Sequence, residues 1–113
     1  MNGLDLIINE RKEQLVKHNF TKEHDKMYTK GELYQAAIFC FEAALVTLGT
    51  KDIITEEWPK DWDLSYKDKL LGKSFVGKMV ECGALMLAEY ERTADESVKD
   101  NMYNIAAILD AVL

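Results

Sequence analysis

The stretch that decides the fold is SFVGKMVECGALMLAEYER, from Ser74 to Arg92. At 3.6 residues per turn, apolar side chains cover most of its circumference. A line of charges follows the remaining side, formed by Lys78, Glu81, Glu89 and Arg92. A helix that is apolar on most sides is mostly enclosed by its neighbours. The charges are therefore either a thin solvated edge or the wall of a site, and the sequence leaves both readings open.

Composition indicates one compact domain over residues 1–113, because 48% of the residues are hydrophobic and 30% are charged. The 14 Lys and Arg against 20 Asp and Glu give a formal net charge of -6. Such a charge repels phosphate backbones, so we expect no nucleic-acid partner. No apolar run approaches the roughly 20 residues that cross a bilayer, and no secretory signal pattern is present. We expect a cytoplasmic protein with no membrane partner.

Two helical segments are predicted before residue 29. Apolar residues recur at helical spacing from about Leu4 to His18. Thr21 is a suitable N-cap for a short helical piece after that segment.

The most apolar helix is predicted to begin at the capping-box spacing of Thr29 and Glu32 and to stop at Gly49, since glycine accepts a left-handed conformation. Glu42 is the only charge in its span AAIFCFEAALVTL. We therefore expect this to be the central helix of the fold.

Helical periodicity fails from Thr50 to about Lys73, which predicts a packed loop or part of a binding surface. A single helical turn is predicted within it at 65–68. The last helix is predicted from about Ala94 to Val112, after a capping box at Thr93 and Glu96. It carries more apolar surface than a small monomer needs, so we expect a homo-oligomer. The fold class is an all-α bundle of four or five helices.

Glu10, Arg11 and Gln14 share one side of the first helix and form the first candidate site. They could converge with Lys78, Glu89 and Arg92 to bind a small polar ligand. Salt bridges that only tie the helices together would explain the same residues.

Glu42 is a second candidate, because a carboxylate in an apolar helix needs a partner. It could be a metal ligand or a base with a raised pKa. The structural alternative is a partner such as Arg11 or a tyrosine at a helix crossing.

The dipeptide His24-Asp25 resembles the metal-binding pair of the HD phosphohydrolases. That chemistry needs further ligands on other helices, and His18 is the one other histidine. A structural role explains His24 equally: it could cap its own segment or form a hydrogen bond with the neighbours of Asp25. Cys40 and Cys82 lie in apolar helical sequence without zinc spacing, so we expect buried free thiols and no bound metal or cofactor.

The segment from Thr50 to about Lys73, which we call the connection, contains an aromatic group that offers a ligand surface. Trp58, Trp62 and Tyr66 could stack on a base, and three nearby lysines would supply positive charge: Lys69, Lys73 and Lys78. Loop aromatic residues more often pack against their own loop, which is the alternative.

Five short motifs follow one another along the chain. They are E-R-x-x-Q at 10–14, E-H-D at 23–25, G-E-L-x-x-A-A at 31–37, W-P at 58–59 and K-x-x-x-x-G-A-L-x-x-A-E-x-E-R at 78–92. In this order they resemble a family of small helical proteins from bacteriophages and prophages, over about Glu10 to Arg92. The resemblance implies a phage or prophage origin and names no reaction. The chain departs from the family at Lys26, where the family has a second acid after H-D.

Two functional classes follow, and a third stays open. The preferred one is a binding protein for a small anionic, nucleotide-like ligand, such as a signal used in antiphage defence. The alternative is a metal-dependent all-α nucleotide hydrolase that would use carboxylates on several helices: Glu10, Glu13, Glu42, Glu81 or Glu89. Glu10 and Glu13 supply only half of the carboxylate cage that such enzymes use. The third class is an interaction module for a host protein.

Overall fold

The computed structural model describes residues 2–17, 29 and 31–113, and these residues form five helices and no strand. The helices are α1 (Gly3–Lys17), α2 (Glu32–Leu48), α3 (Leu64–Leu71), α4 (Phe75–Thr93) and α5 (Glu96–Val112). The predicted all-α bundle is confirmed. The short helical piece predicted after Thr21 lies outside the described residues.

Helix α4 is the centre of the bundle, because it packs against each of the other four described helices. The prediction that this helix is enclosed is confirmed, since Lys78, Glu81 and Glu89 are buried along with its apolar residues. The expectation that α2 is the central helix is wrong. Helix α2 is apolar on most sides because α4 covers one side and the connection to α3 covers another, where Trp58 packs on Phe39.

A glycine sets the distance between α1 and α4. A Cβ atom at Gly83 would overlap the side chain of Ile7, so only glycine permits this approach. Ile7, Arg11 and Gln14 follow one face of α1 at spacings of four and three residues, and all three are buried. The close approach thus carries the polar side chains of α1 onto the centre of α4.

Two helix starts lie near the ends of the connection. The Ser74 hydroxyl accepts a hydrogen bond from the backbone N–H of Gly77 and caps α4. The Asp63 carboxylate accepts from the N–H of Ser65 and caps α3. With this charged cap, the predicted single turn becomes a helix of eight residues.

The N-cap residues predicted by the two capping boxes, Thr29 and Thr93, are wrong. Helix α2 starts after Gly31, whose φ of 81° is left-handed and which makes no side-chain cap. Helix α5 is capped by Asp95, whose carboxylate accepts from the N–H of Ser97. Thr93 instead ends α4 and donates its hydroxyl to the carbonyl of Glu89. A charged acceptor closer to the helix start serves better than the predicted threonine. The prediction that α2 stops at Gly49 is confirmed.

Helix α5 covers the core with its most apolar face. Five of its residues are buried: Val98, Met102, Ile105, Ala106 and Leu109. Tyr103, Val112 and Leu113 remain exposed. Self-association stays a prediction, and the apolar surface available to it on this helix is smaller than the sequence pattern indicates.

Candidate functional site

A carboxylate in the middle of α4 joins three helices. One oxygen of Glu81, Oε2, accepts from the Tyr66 hydroxyl at 2.8 Å and from Gln14 Nε2 at 3.1 Å. The other oxygen, Oε1, accepts from Lys73 Nζ at 2.8 Å. These partners come from α3, from α1 and from the turn before α4. The buried charge is therefore held by side chains that are distant in sequence, as burial of an ion requires.

A second carboxyl group meets the first. The Glu10 side chain is hydrogen-bonded to Glu81, and its Oε1 lies 4.0 Å from Lys73 Nζ. Burial, the hydrogen bond to Glu81 and the charge of Glu81 raise the pKa of Glu10 to about 8. Glu10 is therefore mostly protonated at pH 7 and donates its proton to Glu81.

Glu81 itself stays ionised. Burial opposes its charge, yet hydrogen bonds from Glu10, Lys73 and Tyr66 hold its pKa below the ordinary value. Burial and the neighbouring carboxylate raise the pKa of Tyr66 well above its ordinary value, so its hydroxyl remains a donor. Burial lowers the pKa of Lys73, but the hydrogen bond to Glu81 and the charges of the nearby carboxyl groups together outweigh burial and raise it. We call Glu10, Gln14, Tyr66, Lys73 and Glu81 the polar cluster.

A cleft of about 240 Å³ opens over the polar cluster. The residues that line it include Tyr66, Lys69, Lys73 and Glu81. Asp63, which also lines the cleft, already caps α3. The cleft therefore combines an aromatic face with two cations above a buried polar floor.

Gln14 lies behind the cleft, against Glu81, and does not itself line the cleft. The residue is 1% exposed, and its Nε2 donates to Glu81. Its Oε1 is buried and has no hydrogen-bond partner in the described part of the chain. A buried amide oxygen without a partner is costly and points to a ligand or water that completes it.

The structure brings only part of the first predicted site together. Glu10 and Gln14 meet at Glu81, as described above. Arg11 Nε pairs with Glu91 Oε1 at 3.0 Å. Lys78 Nζ lies 2.5 Å from the hydroxyl of Thr47 on α2, so it belongs to a different side of α4.

The remaining predicted pair lies near the end of α4. Arg92 Nε contacts Glu89 Oε1 at 2.6 Å, a pairing within one helix. This contact fits the structural alternative, in which salt bridges stabilise the bundle.

Glu42 is held by the connection rather than by a helix crossing. Its Oε2 accepts from Thr55 through the backbone N–H at 2.9 Å and the hydroxyl at 2.7 Å, and its Oε1 accepts from the N–H of Glu56 at 3.0 Å. Lys51 Nζ lies 3.3 Å away. The backbone hydrogen bond from Thr55 and these further donors lower the pKa of Glu42. The expectation of a base with a raised pKa is wrong, and the predicted partners, Arg11 or a tyrosine, are replaced by Thr55, Glu56 and Lys51.

Trp58 anchors the connection. Its ring makes edge contacts with Phe39 at 5.2 Å, Trp62 at 5.6 Å and Tyr66 at 5.5 Å between centroids. The ring is buried, so the described contacts support the packing alternative for Trp58. Of the three aromatic residues that were predicted as a stacking surface, Tyr66 lines the cleft.

His24 and Asp25 lie outside the described residues, as does His18. Cys40 and Cys82 are free and buried, which confirms their predicted state, and burial raises the pKa of both thiols. Within residues 2–17, 29 and 31–113, no group of three or more His, Cys, Asp and Glu side chains is arranged around a metal position.

The sequence named every member of the polar cluster, but in separate hypotheses. Glu10 and Gln14 belonged to the ligand site, Tyr66 and Lys73 to the aromatic surface, and Glu81 to the hydrolase alternative. Two features of the sequence could have predicted that these residues meet. Glu81 is a charge on a helix that must be enclosed, and Gly83 marks the turn where another helix approaches closely.

No family model, no curated protein and no solved structure matches this chain. None of the described helices is long and apolar enough to cross a membrane. The function of the chain is therefore inferred from the polar cluster and the cleft above it.

Proposed function

We propose that this chain binds a small anionic, nucleotide-like ligand in the cleft above the polar cluster. The observation that carries the proposal is a buried hydrogen-bond network that opens onto a cleft instead of ending in the core. A network that served only to join helices would need neither a cleft of about 240 Å³ nor exposed cations along it.

Charge favours an anion. Lys69 is exposed on the cleft wall, and the Lys73 side chain is 36% exposed although its ammonium contacts Glu81. Because Glu10 is mostly protonated at pH 7, Lys73 faces one full negative charge rather than two. The two ammonium groups can therefore share a phosphate while the Tyr66 ring packs against a flat base.

The net charge of the chain and its family resemblance limit the class of ligand. A net charge of -6 disfavours a long polyanion, whereas local lysines suffice for one or two phosphates. The resemblance to phage and prophage proteins adds nucleotide signals of antiphage defence to the candidates. We propose that the biological role is to capture such a signal and then to sequester or release it chemically unchanged.

A nucleotide panel tests the proposal. Mononucleotides and cyclic nucleotides would be titrated by calorimetry and by the fluorescence of Trp58 and Trp62, which pack next to Tyr66. We expect saturable binding that Lys69→Ala weakens about tenfold or more, since a charge-assisted contact contributes about 1.5–3 kcal/mol.

Lys67→Ala is the matched control on the same helix. Lys67 lies over the ring of Phe39, away from the cleft lining, and its loss should leave affinity unchanged. No saturable binding across the panel, or equal losses in the two variants, would contradict the proposal.

A further inference from the structure

The polar cluster holds two carboxyl groups, Glu10 and Glu81, and one ammonium group, that of Lys73. Glu10, Glu13 and Glu81 all act electrostatically on Lys73, whose ammonium lies 2.8 Å from Glu81 Oε1 and 4.0 Å from Glu10 Oε1. One ammonium group on a flexible side chain stands among three carboxyl groups. A divalent cation carries the charge that matches two carboxylates, so it could take the place of the ammonium group and the proton that balance them now.

Gln14 provides an independent observation that points to a ligand. Its amide contacts Glu81, the residue is 1% exposed, and its Oε1 has no hydrogen-bond partner among the described residues. An amide oxygen is a hard donor, and a half-turn of the Gln14 amide would exchange Nε2 for Oε1 at the Glu81 carboxylate and bring the oxygen within reach of an ion bound there.

The spacing of the two carboxyl groups suits an octahedral ion. Glu10 and Glu81 are hydrogen-bonded, and the oxygens of such a pair are about 2.5–3.0 Å apart. Adjacent corners of an octahedron with metal–oxygen bonds of about 2.1 Å are roughly 3 Å apart. An ion can therefore take the place between these oxygens with little movement of either helix.

We propose that Glu10, Glu81 and the side-chain oxygen of Gln14 bind a divalent cation of the Mg²⁺ or Mn²⁺ class, which displaces the ammonium group of Lys73 and releases to solvent the proton that Glu10 shares with Glu81. The ligands are all oxygens, which favours these ions over zinc. Glu81 also lines the cleft, so the ion lies at the cleft floor. Solvent or a phosphate can complete its coordination, and the displaced Lys73 remains beside the cleft.

The site predicts opposite effects for neighbouring substitutions. The full chain would be titrated with Mn²⁺ alone, and free Mn²⁺ would be measured by electron paramagnetic resonance in high monovalent salt, which screens general attraction to an acidic surface. We expect one saturable Mn²⁺ per chain, with Mg²⁺ as competitor. Glu10→Gln and Glu81→Gln should each weaken binding at least tenfold, while Lys73→Met should tighten it by removing the competing cation.

Glu57→Gln is the control, because Glu57 is exposed in the connection and does not line this cleft. Circular dichroism melts would verify folding, and Glu10→Gln serves as the test if Glu81→Gln fails to fold. Absence of saturable Mn²⁺ binding, equal binding in Glu10→Gln and the unsubstituted chain, or weaker binding in Lys73→Met would each overturn the proposal. Lys73→Met should also weaken nucleotide capture, so the two proposals fail separately.

Discussion

Two buried glutamates on apolar helices have opposite surroundings. Glu42 on α2 is held by a hydroxyl and two backbone N–H groups from Thr55 and Glu56, 13 and 14 residues away in sequence. Glu81 on α4 is held by Gln14, Tyr66 and Lys73 and contacts a second carboxyl group.

The difference separates a structural carboxylate from a site. Two backbone N–H groups of a nearby loop, together with the Thr55 hydroxyl and Lys51, satisfy Glu42 and lower its pKa, so its carboxylate stays ionised and fixed to the loop. Side-chain donors can move away from Glu81, and its neighbour Glu10 has a pKa near neutrality. A buried acid with mobile partners, an acidic neighbour and a cleft is the better candidate for ligand chemistry.

The largest effect is expected at Glu81. Glu81→Ala removes the acceptor of Tyr66, Lys73 and Gln14 together, and loss of one member of a buried charged network is strongly destabilising. We expect the free energy of unfolding to fall by about 2–4 kcal/mol, reduced from the fully buried case because Lys73 can reach solvent. Urea unfolding at pH 7 measures the change, and the same variant should lose nucleotide capture.

Glu42→Ala should be less damaging and should leave capture intact. The substitution frees two backbone N–H groups of a partly exposed loop, which water can then solvate, so we expect a loss of about 1–3 kcal/mol. Urea unfolding and the nucleotide titration would be run on the same preparation. A Glu42→Ala chain that folds but no longer binds nucleotide would show that Glu42, like Glu81, takes part in ligand binding.

The sequence predicts the helices well because their signals are local. Apolar spacing located α4, and Gly49 located the end of α2. The predicted start of α2 is wrong because Gly31, in a left-handed conformation, is the N-cap in place of Thr29. The spacing of Thr29 and Glu32 contains no information about the backbone conformation of the glycine between them.

Assembly of the site depends on contacts that local spacing does not contain. Lys78 and Glu81 are three residues apart and were assigned to one polar line, yet Lys78 contacts Thr47 on α2 while Glu81 contacts α1 and α3. An enclosed helix has neighbours on every side, so residues of one line can face different partners. The partner of each charge is set by tertiary packing.

The smallest effect, taken over one pH unit, is a pH dependence that belongs to Glu10. Its pKa is raised to about 8 in the folded chain, so between about pH 4.5 and 8 the folded state keeps a proton that the unfolded state has lost. The free energy of unfolding therefore falls as pH rises through this window. Glu81, with a lowered pKa, contributes stability that is lost at more acidic pH, and Lys73, with a raised pKa, contributes stability that is lost at more alkaline pH.

Glu10→Gln removes that proton exchange and keeps a hydrogen-bond donor for Glu81, so its stability relative to the unsubstituted chain should increase from pH 5 to pH 9, by on the order of 1 kcal/mol per pH unit up to about pH 8. Urea unfolding at one-unit intervals, with a chelator to remove divalent ions, measures the difference. Titrations that are common to the two chains cancel in the comparison. Parallel stability curves would show that Glu10 ionises equally in both states, and the carboxyl pair would then be no more poised for exchange than the loop-bound Glu42.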